Sequence, residues 1–331
     1  MTTFIATLTP MLTLFFCIAA GFAASKAKLL PDTAGKTMAN METWIFCPAL
    51  SFMTMVRYCT VSSIATHGTN MIMAGIAVAI SMSIAIPLSK LFAKEPGMER
   101  GIYSYALAFA NSGYMGDPIV LALFGEEALA YYKLYTLPLS IIIYTWGISV
   151  LTPKKAGGGA AWKRLLNAPT VAMLLGVVVG ITGTGAYLPA FLISALDSLK
   201  ACMGPVAMLL AGVTIAKYDF VGMLKKKKVY VATALRLLVI PTVLIAVLYA
   251  VKTAANAWLD LAIGNDVLFL CFFSTAAPLG LNTVVFPEAY GGSPETGASM
   301  AMISHALCVI TIPLLYAVMV SVFGVPFVGL N

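Results

Sequence analysis

Two short polar segments interrupt long apolar runs, one in each half of this 331-residue chain. The first, at 111–118, reads Asn-Ser-Gly-Tyr-Met-Gly-Asp-Pro, and the second, at 277–283, reads Ala-Pro-Leu-Gly-Leu-Asn-Thr. Both combine helix-interrupting glycine and proline with amide or hydroxyl side chains. Unwinding a helix there frees N–H groups, which favour a carboxylate, and C=O groups, which favour a cation. The two segments therefore predict a binding site for a small charged ligand.

The predicted substrate site draws on side chains and backbone of both segments. We expect its contacts to come from Asn111, Ser112, Gly113, Gly116, Asn282 and Thr283. Pro118 and Pro278 interrupt the two helices, and Gly280 adds backbone freedom beside the second proline. The chain has no nucleophile–base motif, phosphate-binding loop or metal-ligand spacing, so neither an enzyme nor a metal or organic cofactor is expected.

Asp117 is the ionisable residue of the first segment. An isolated ionised aspartate in mid-membrane is costly, so it should be protonated, paired or cation-bound. Beside free carbonyl groups it is predicted to carry a coupling ion, Na⁺ or H⁺. A structural alternative is that it caps the half-helix that follows. A second alternative makes the protein a monovalent cation/proton antiporter built on Asp117.

Arg236 and His305 also lie within apolar runs. We expect these two residues and Gly280 to support the residues that contact the substrate. Arg236 reaches back to the cytoplasmic surface, pairs with Glu288 or holds the substrate carboxylate. His305 is either a hydrogen-bonded structural residue or a proton relay. Asp197 and Lys200, one helical turn apart, are expected to form an ion pair.

These sites belong to a chain that is 60% apolar and 10% charged, a balance that requires lipid as the surrounding solvent. The net charge of +7 comes from short basic clusters between apolar runs. That pattern indicates loops at an anionic lipid surface and argues against nucleic acid as a partner. The fold class is therefore an all-α membrane protein that passes the membrane many times.

Ten apolar segments are long enough to span a membrane. We number them one to ten in the order 3–24, 33–56, 68–91, 100–123, 127–151, 167–186, 189–216, 229–251, 265–289 and 296–323. Fifteen of the twenty Lys and Arg residues fall on one side of the resulting topology. This side is cytoplasmic by the positive-inside rule, so both termini are predicted to lie outside the cell membrane.

The two halves of the chain share a pattern of prolines and glycines. Pro10 and Gly21 in span one have the same spacing as Pro169 and Gly180 in span six. Five spans per copy is an odd number, so the second copy must be inverted in the membrane. The expected organisation is a five-helix repeat at 1–151, a cytoplasmic linker at 152–166 and an inverted repeat at 167–331. Spans four and nine are the broken helices whose meeting point holds the site.

The segment ending at Pro118 resembles the Asn…Gly-x-Pro signature of the auxin efflux carrier family. The segment 277–282, with Tyr290 and Gly291 after it, is similar to the second-half counterpart of that signature. Segments 46–50 and 167–169 also fit, so the resemblance covers the whole chain. One departure is Asp117, because that position is usually aliphatic in the family.

The resemblance implies ten helices, with an architecture related to that of the bile acid/sodium symporters. Spans one, two, six and seven would be a scaffold, and spans three to five and eight to ten a moving domain whose helices cross at the two prolines. It implies a secondary transporter that works by alternating access on an auxin-like monocarboxylate or, in bacterial members, malonate or malate. A homodimer surrounded by membrane lipid is also implied.

Overall fold

The computed structural model describes residues 2–153, 168–217, 222, 225–290 and 294–327, without the side chains of 2–11, 14, 66, 114, 118, 126 and 127. The helices of the first half are α1 (Thr2–Lys26), α2 (Ala34–Met41), α3 (Cys47–Tyr58), α4 (Val61–Ser89), α5 (Met98–Ala108), α6 (Asp117–Ile142) and α7 (Ile148–Leu151). Those of the second half are α8 (Ala168–Thr182), α9 (Ala190–Lys217), α10 (Lys227–Ala234), α11 (Ile240–Leu259), α12 (Asp266–Thr275), α13 (Asn282–Tyr290) and α14 (Glu295–Phe323). π-Helical turns occur at Glu42–Phe46, Ser112–Gly116, Ile143–Gly147 and Leu235–Val239.

Five helical stretches are long and apolar enough to cross a membrane within the described residues. They are His67–Ser89, Ala128–Leu151, Ala190–Lys217, Lys227–Leu259 and Glu295–Phe323. The prediction of an all-helical membrane protein is therefore confirmed, with five candidate spans. Helices also lie at the other predicted spans, but the number ten and the inverted repeat stay predictions. The predicted linker at 152–166 falls outside the described residues from position 154 onward.

Two helix pairs make the closest contacts between the halves: α1 packs on α9, and α3 packs on α8. Gly21 of α1 lies against the backbone of Leu209, and Gly180 of α8 lies against the backbone of Met55 and Cys59. A side chain on either glycine would overlap these atoms, so close approach requires glycine there. Exchanging span one for six and two for seven converts one pair into the other, as an inverted repeat requires.

Spans four and nine are both interrupted. In span four, α5 ends at Ala108, Phe109 is extended with φ −123° and ψ 131°, and helical structure resumes at Ser112. In span nine, α12 ends at Thr275 and α13 begins at Asn282. The break in span nine contains Pro278 and Gly280, as predicted. The break in span four lies earlier than predicted, at 109–111, before Gly113 and Gly116. The prediction that Pro118 interrupts span four is wrong, because Pro118 lies in the first turn of α6, where a helix tolerates proline.

Span four turns into span five at Gly125, within the stretch that forms α6. Gly125 has φ +80° and ψ −173°, a conformation that residues with a side chain rarely adopt. The glycine thus lets the chain reverse between two helical segments. Residues of α6 after this turn reach back toward the break in span four.

Ion pairs connect the helix ends. Lys217 Nζ of α9 lies 2.6 Å from Glu288 Oε1 of α13, and Lys226 pairs with Glu295 at the start of α14. Arg57 at the end of α3 pairs with Asp197 of α9. The predicted pairing of Asp197 with Lys200 is therefore wrong, because the oppositely charged neighbour in space belongs to another helix.

Candidate functional site

The two unwound segments meet backbone to backbone. Asn111 N–H donates to Pro278 O at 2.7 Å, and Ala110 and Leu279 form an isolated antiparallel bridge. Leu279 N–H donates to Ser304 Oγ of α14 at 3.2 Å. Because these contacts join segments far apart in sequence, spans four and nine cross at their breaks. We call the stretches 109–111 and 276–281 together the crossover.

Asn111 is held by a chain of hydrogen bonds from α14. Its Nδ2 lies 3.3 Å from His305 Nε2, and His305 Nδ1 lies 2.7 Å from Ala301 O. The carbonyl oxygen can only accept, so Nδ1 donates to it and Nε2 is left to bond with the amide of Asn111. His305 is thus hydrogen-bonded through both ring nitrogens and orients Asn111. The Oδ1 atom of Asn111 is buried and has no partner among the described residues.

Asn282 occupies the corresponding place on span nine. Its Nδ2 donates to the hydroxyl of Tyr105 on α5 at 2.8 Å, and its buried Oδ1 also lacks a described partner. Thr283 next to it donates Oγ1–H to Gly280 O at 3.0 Å and is fully buried. Each broken helix therefore presents one asparagine with a free carbonyl oxygen, whereas the hydroxyl of Thr283 is used within its own turn.

A cavity of about 70 Å³ lies on the crossover. The predicted site residues Asn111, Ser112, Gly113, Gly280 and Asn282 line it. Its other walls come from α3, α6, the π-helical turn after α6 and α9, and they include Ser51, Thr54, Lys133, Thr136, Ser140, Tyr144 and Met203. Most of the predicted substrate residues therefore share one space.

Gly116, Pro278 and Thr283 lie outside this lining. Gly116 is buried against the hydroxyl of Tyr132 and the carbonyl of Phe273, so it serves the packing of span four. Pro278 contributes its carbonyl oxygen to the crossover hydrogen bond. Pro118 is the second residue of α6, and its side chain lies outside the described residues.

Lys133 pairs with Asp117, and the pair is almost completely buried. The side chains are 7% and 17% exposed, and Lys133 Nζ contacts Asp117 Oδ2. Asp117 Oδ1 is buried without a described partner, and Asp117 is the first helical residue of α6, with Gly116 at the N-cap position before it. Asp117 is therefore paired, one of the states that its position requires. The capping alternative finds no hydrogen bond to support it in the described contacts.

Sequence reasoning missed Lys133 because it lies near the start of span five, where lysine usually faces water. A signal was present, since a buried aspartate needs a cation and Lys133 is the next basic residue along the chain. The turn at Gly125 folds α6 back and makes the pairing possible.

Arg236 is fully buried in the π-helical turn that follows α10. None of its guanidinium nitrogen atoms has a hydrogen-bond partner among the described residues, and Glu288 pairs with Lys217 instead. The predicted pairing with Glu288 and the predicted reach to the surface are therefore both wrong. Arg236 does not line the cavity, but it lies within electrostatic range of Tyr105, which supports Asn282.

Comparison with known protein families decides the general class of this molecule. The profile of the membrane transport protein family matches residues 6–161 and 155–316. The chain belongs to this family. The resemblance to the auxin efflux carriers is thereby confirmed, since they belong to the same family.

Membership in the membrane transport protein family makes the molecule a multi-pass membrane transporter rather than an enzyme. No curated protein sequence matches the chain significantly. The family therefore sets the class of activity, and the cavity of this transporter carries the argument about its substrate.

Proposed function

We propose that this transporter is a secondary active carrier of a small organic carboxylate, of the size of malonate or malate. The observation that supports it is the cavity, in which one buried ammonium group and two asparagine amides converge on broken helices. Lys133 supplies the positive charge that a carboxylate needs in a membrane interior. Asn111 and Asn282 supply amide groups that fix the orientation of a polar ligand.

The size of the cavity favours a small substrate. At about 70 Å³ it has room for roughly five to seven water molecules. A dicarboxylate with three or four carbon atoms fills a similar space. An auxin-like substrate with an aromatic ring would require the cavity to enlarge, so we place it second among carboxylates.

The walls of the cavity suit alternating access. Residues of α3 and α9 belong to the proposed scaffold, whereas α6 and the crossover belong to the proposed moving domain. Lys217 and Glu288 join α9 to α13 at the end of α9 that is predicted to be cytoplasmic. Movement of one group of helices past the other would change the side from which the crossover is reached.

Radiolabelled uptake into proteoliposomes tests the proposed substrate class. Labelled malonate should accumulate in vesicles that contain the purified transporter, and excess unlabelled malonate should compete with it. Empty vesicles and vesicles with a transporter that lacks both Asn111 and Asn282 amides (Asn111→Ala/Asn282→Ala) are the controls. Saturable uptake of ²²Na⁺ against a pH gradient without any malonate uptake would contradict the proposal.

The second candidate is a monovalent cation/proton antiporter, and the buried Asp117–Lys133 pair favours it. Na⁺ at the carboxylate would displace the ammonium group, and Lys133 would then lose a proton. This exchange needs no carboxylate, so the ²²Na⁺ measurement above separates the two candidates.

We further propose that the protein lies in the cell membrane with both termini outside, as a homodimer surrounded by lipid. Glu95 and Thr184 are exposed and lie on opposite sides in this topology. In a Cys202→Ser background, which removes an exposed native thiol, Thr184→Cys should react with an impermeant maleimide in intact cells. Glu95→Cys should react only after the cells are opened, and the reverse result would invert the topology.

A further inference from the structure

We infer that Lys133 binds the substrate's carboxylate directly and that Asp117 takes up one proton when Lys133 does so. This inference rests on the proposed function and adds the identity of the anion-binding group and of the coupled ion. Neither role follows from membership in the family, since the aspartate departs from the usual residue there.

Lys133 faces both the aspartate and the cavity. Its ammonium group contacts Asp117 Oδ2, and Lys133 also lines the cavity with Asn111 and Asn282. An ammonium group has three N–H donors, so it can turn from one carboxylate to another. Asp117 does not line the cavity, which places Lys133 between the aspartate and the space for the substrate.

Charge balance then requires a proton. A substrate carboxylate beside the pair would leave two negative charges and one positive charge in a buried site, which is costly. The cost falls if Asp117 Oδ2 takes up a proton from a hydronium ion of the solvent as its bond to Lys133 breaks, because this removes one negative charge; the site is then neutral around one carboxylate, and the second carboxylate of malonate keeps its charge. Lys133 then donates to the substrate carboxylate, and the only covalent bond formed is the O–H bond on Asp117.

Other charged and titratable groups lie around the pair. Lys200 on α9 lies within electrostatic range of Asp117 and Lys133, but it is also near Arg57 and Asp197, which pair with each other. Tyr132 of α6 is within electrostatic range of Asp117 and of Cys271 on α12. The ring of His67 on α4 lies 4.3 Å from that of Tyr131, and His305 of α14 is hydrogen-bonded to Asn111 and Ala301. Lys200 is therefore the rival cation, and the experiment includes it.

The test is the affinity of the purified transporter for labelled malonate as a function of pH. Between about pH 7 and 9 the carboxylates of malonate stay ionised, so their own titration does not interfere. Uptake of one proton per bound carboxylate makes the Kd rise about tenfold for each pH unit. Asp117→Asn should bind malonate with no such dependence, because an amide cannot take up the proton.

Substitution of the lysine separates its role from that of its neighbours. Lys133→Gln should weaken malonate binding by about 30-fold or more, whereas Lys133→Arg should retain most of it. Lys200→Gln and the matched control Lys226→Gln, whose ion pair lies away from the cavity, should bind normally. If Lys133→Gln does not fold because Asp117 loses its partner, the double variant Asp117→Asn/Lys133→Gln replaces the pair with two neutral side chains and should bind equally weakly.

Three results would overturn the inference in distinguishable ways. Failure of the wild-type protein to bind malonate at any pH would remove the proposed function as well. Normal binding by Lys133→Gln, or loss of binding only in Lys200→Gln, would show that Lys133 does not bind the carboxylate. Either result would leave the proposed function intact. Binding that occurs in Na⁺ buffer but not in choline buffer, and that does not depend on pH, would show that Na⁺ and not a proton is the coupled ion.

Discussion

Alanine in place of Asn282 is expected to weaken carboxylate binding by roughly 10- to 150-fold, the effect of one hydrogen bond to a charged group. The amide of Asn282 lines the cavity, and its Nδ2 has two hydrogens, of which one goes to Tyr105. The second hydrogen is available to a carboxylate, whereas Oδ1 can only accept and does not bind one. Equilibrium binding of labelled malonate to the purified variant measures the effect.

The Asn282 variant needs a control for stability, because alanine also leaves the buried hydroxyl of Tyr105 without its partner. Tyr105→Phe removes the same hydrogen bond from the other side and keeps the amide in the cavity. We expect it to lower the melting temperature about as much as Asn282→Ala but to leave affinity within a few-fold of normal. Equal loss of affinity in both variants would show that Asn282 acts only through the packing of α5.

Methionine in place of Arg236 is expected to stabilise the protein and to weaken anion binding. A buried charge without a partner is costly, and replacing buried ionic groups with apolar ones of similar size stabilises by about 1–4 kcal/mol. Arg236 is fully buried, and no nitrogen of its guanidinium has a described partner. The positive charge behind the crossover should attract an anion, so its loss should lower affinity on the order of tenfold.

Thermal unfolding in detergent and malonate binding measure the two effects of Arg236→Met separately. Leu237→Met, a substitution of a buried neighbour that does not change charge, is the matched control. A lower melting temperature in Arg236→Met would show that the guanidinium has a structural partner. Unchanged affinity together with higher stability would show that the charge of Arg236 does not contribute to anion binding.

The crossover could be predicted from the sequence because its signals are local. Glycine and proline interrupt a helix wherever they stand, and a polar amide beside them has few reasons to lie in lipid. Asn111 and Asn282 were found in this way, and both line the cavity. The break in span nine follows from Pro278 and Gly280, whereas the break in span four precedes Gly113, Gly116 and Pro118, so these residues did not predict its position.

The ion pairs could not be predicted because each depends on how distant helices pack. Asp197 has Lys200 one turn away, but the structure pairs it with Arg57 of α3. Asp117 was expected to need a partner, yet only the path of α6 identifies that partner as Lys133. Arg236 and Glu288 were expected to pair only because their charges are opposite. In the fold Glu288 pairs with Lys217, and Arg236 has no described partner.

The backbone hydrogen bond between Asn111 and Pro278 has a consequence for biosynthesis. Asn282 and Tyr105, which meet beside it, are 177 residues apart, so the ribosome completes α5 long before span nine exists. Until then the open backbone of the first half has no permanent partner in the bilayer, where an unsatisfied N–H costs several kcal/mol. The first half should therefore remain close to the insertion machinery, or keep water at its break, until the second half arrives to complete it.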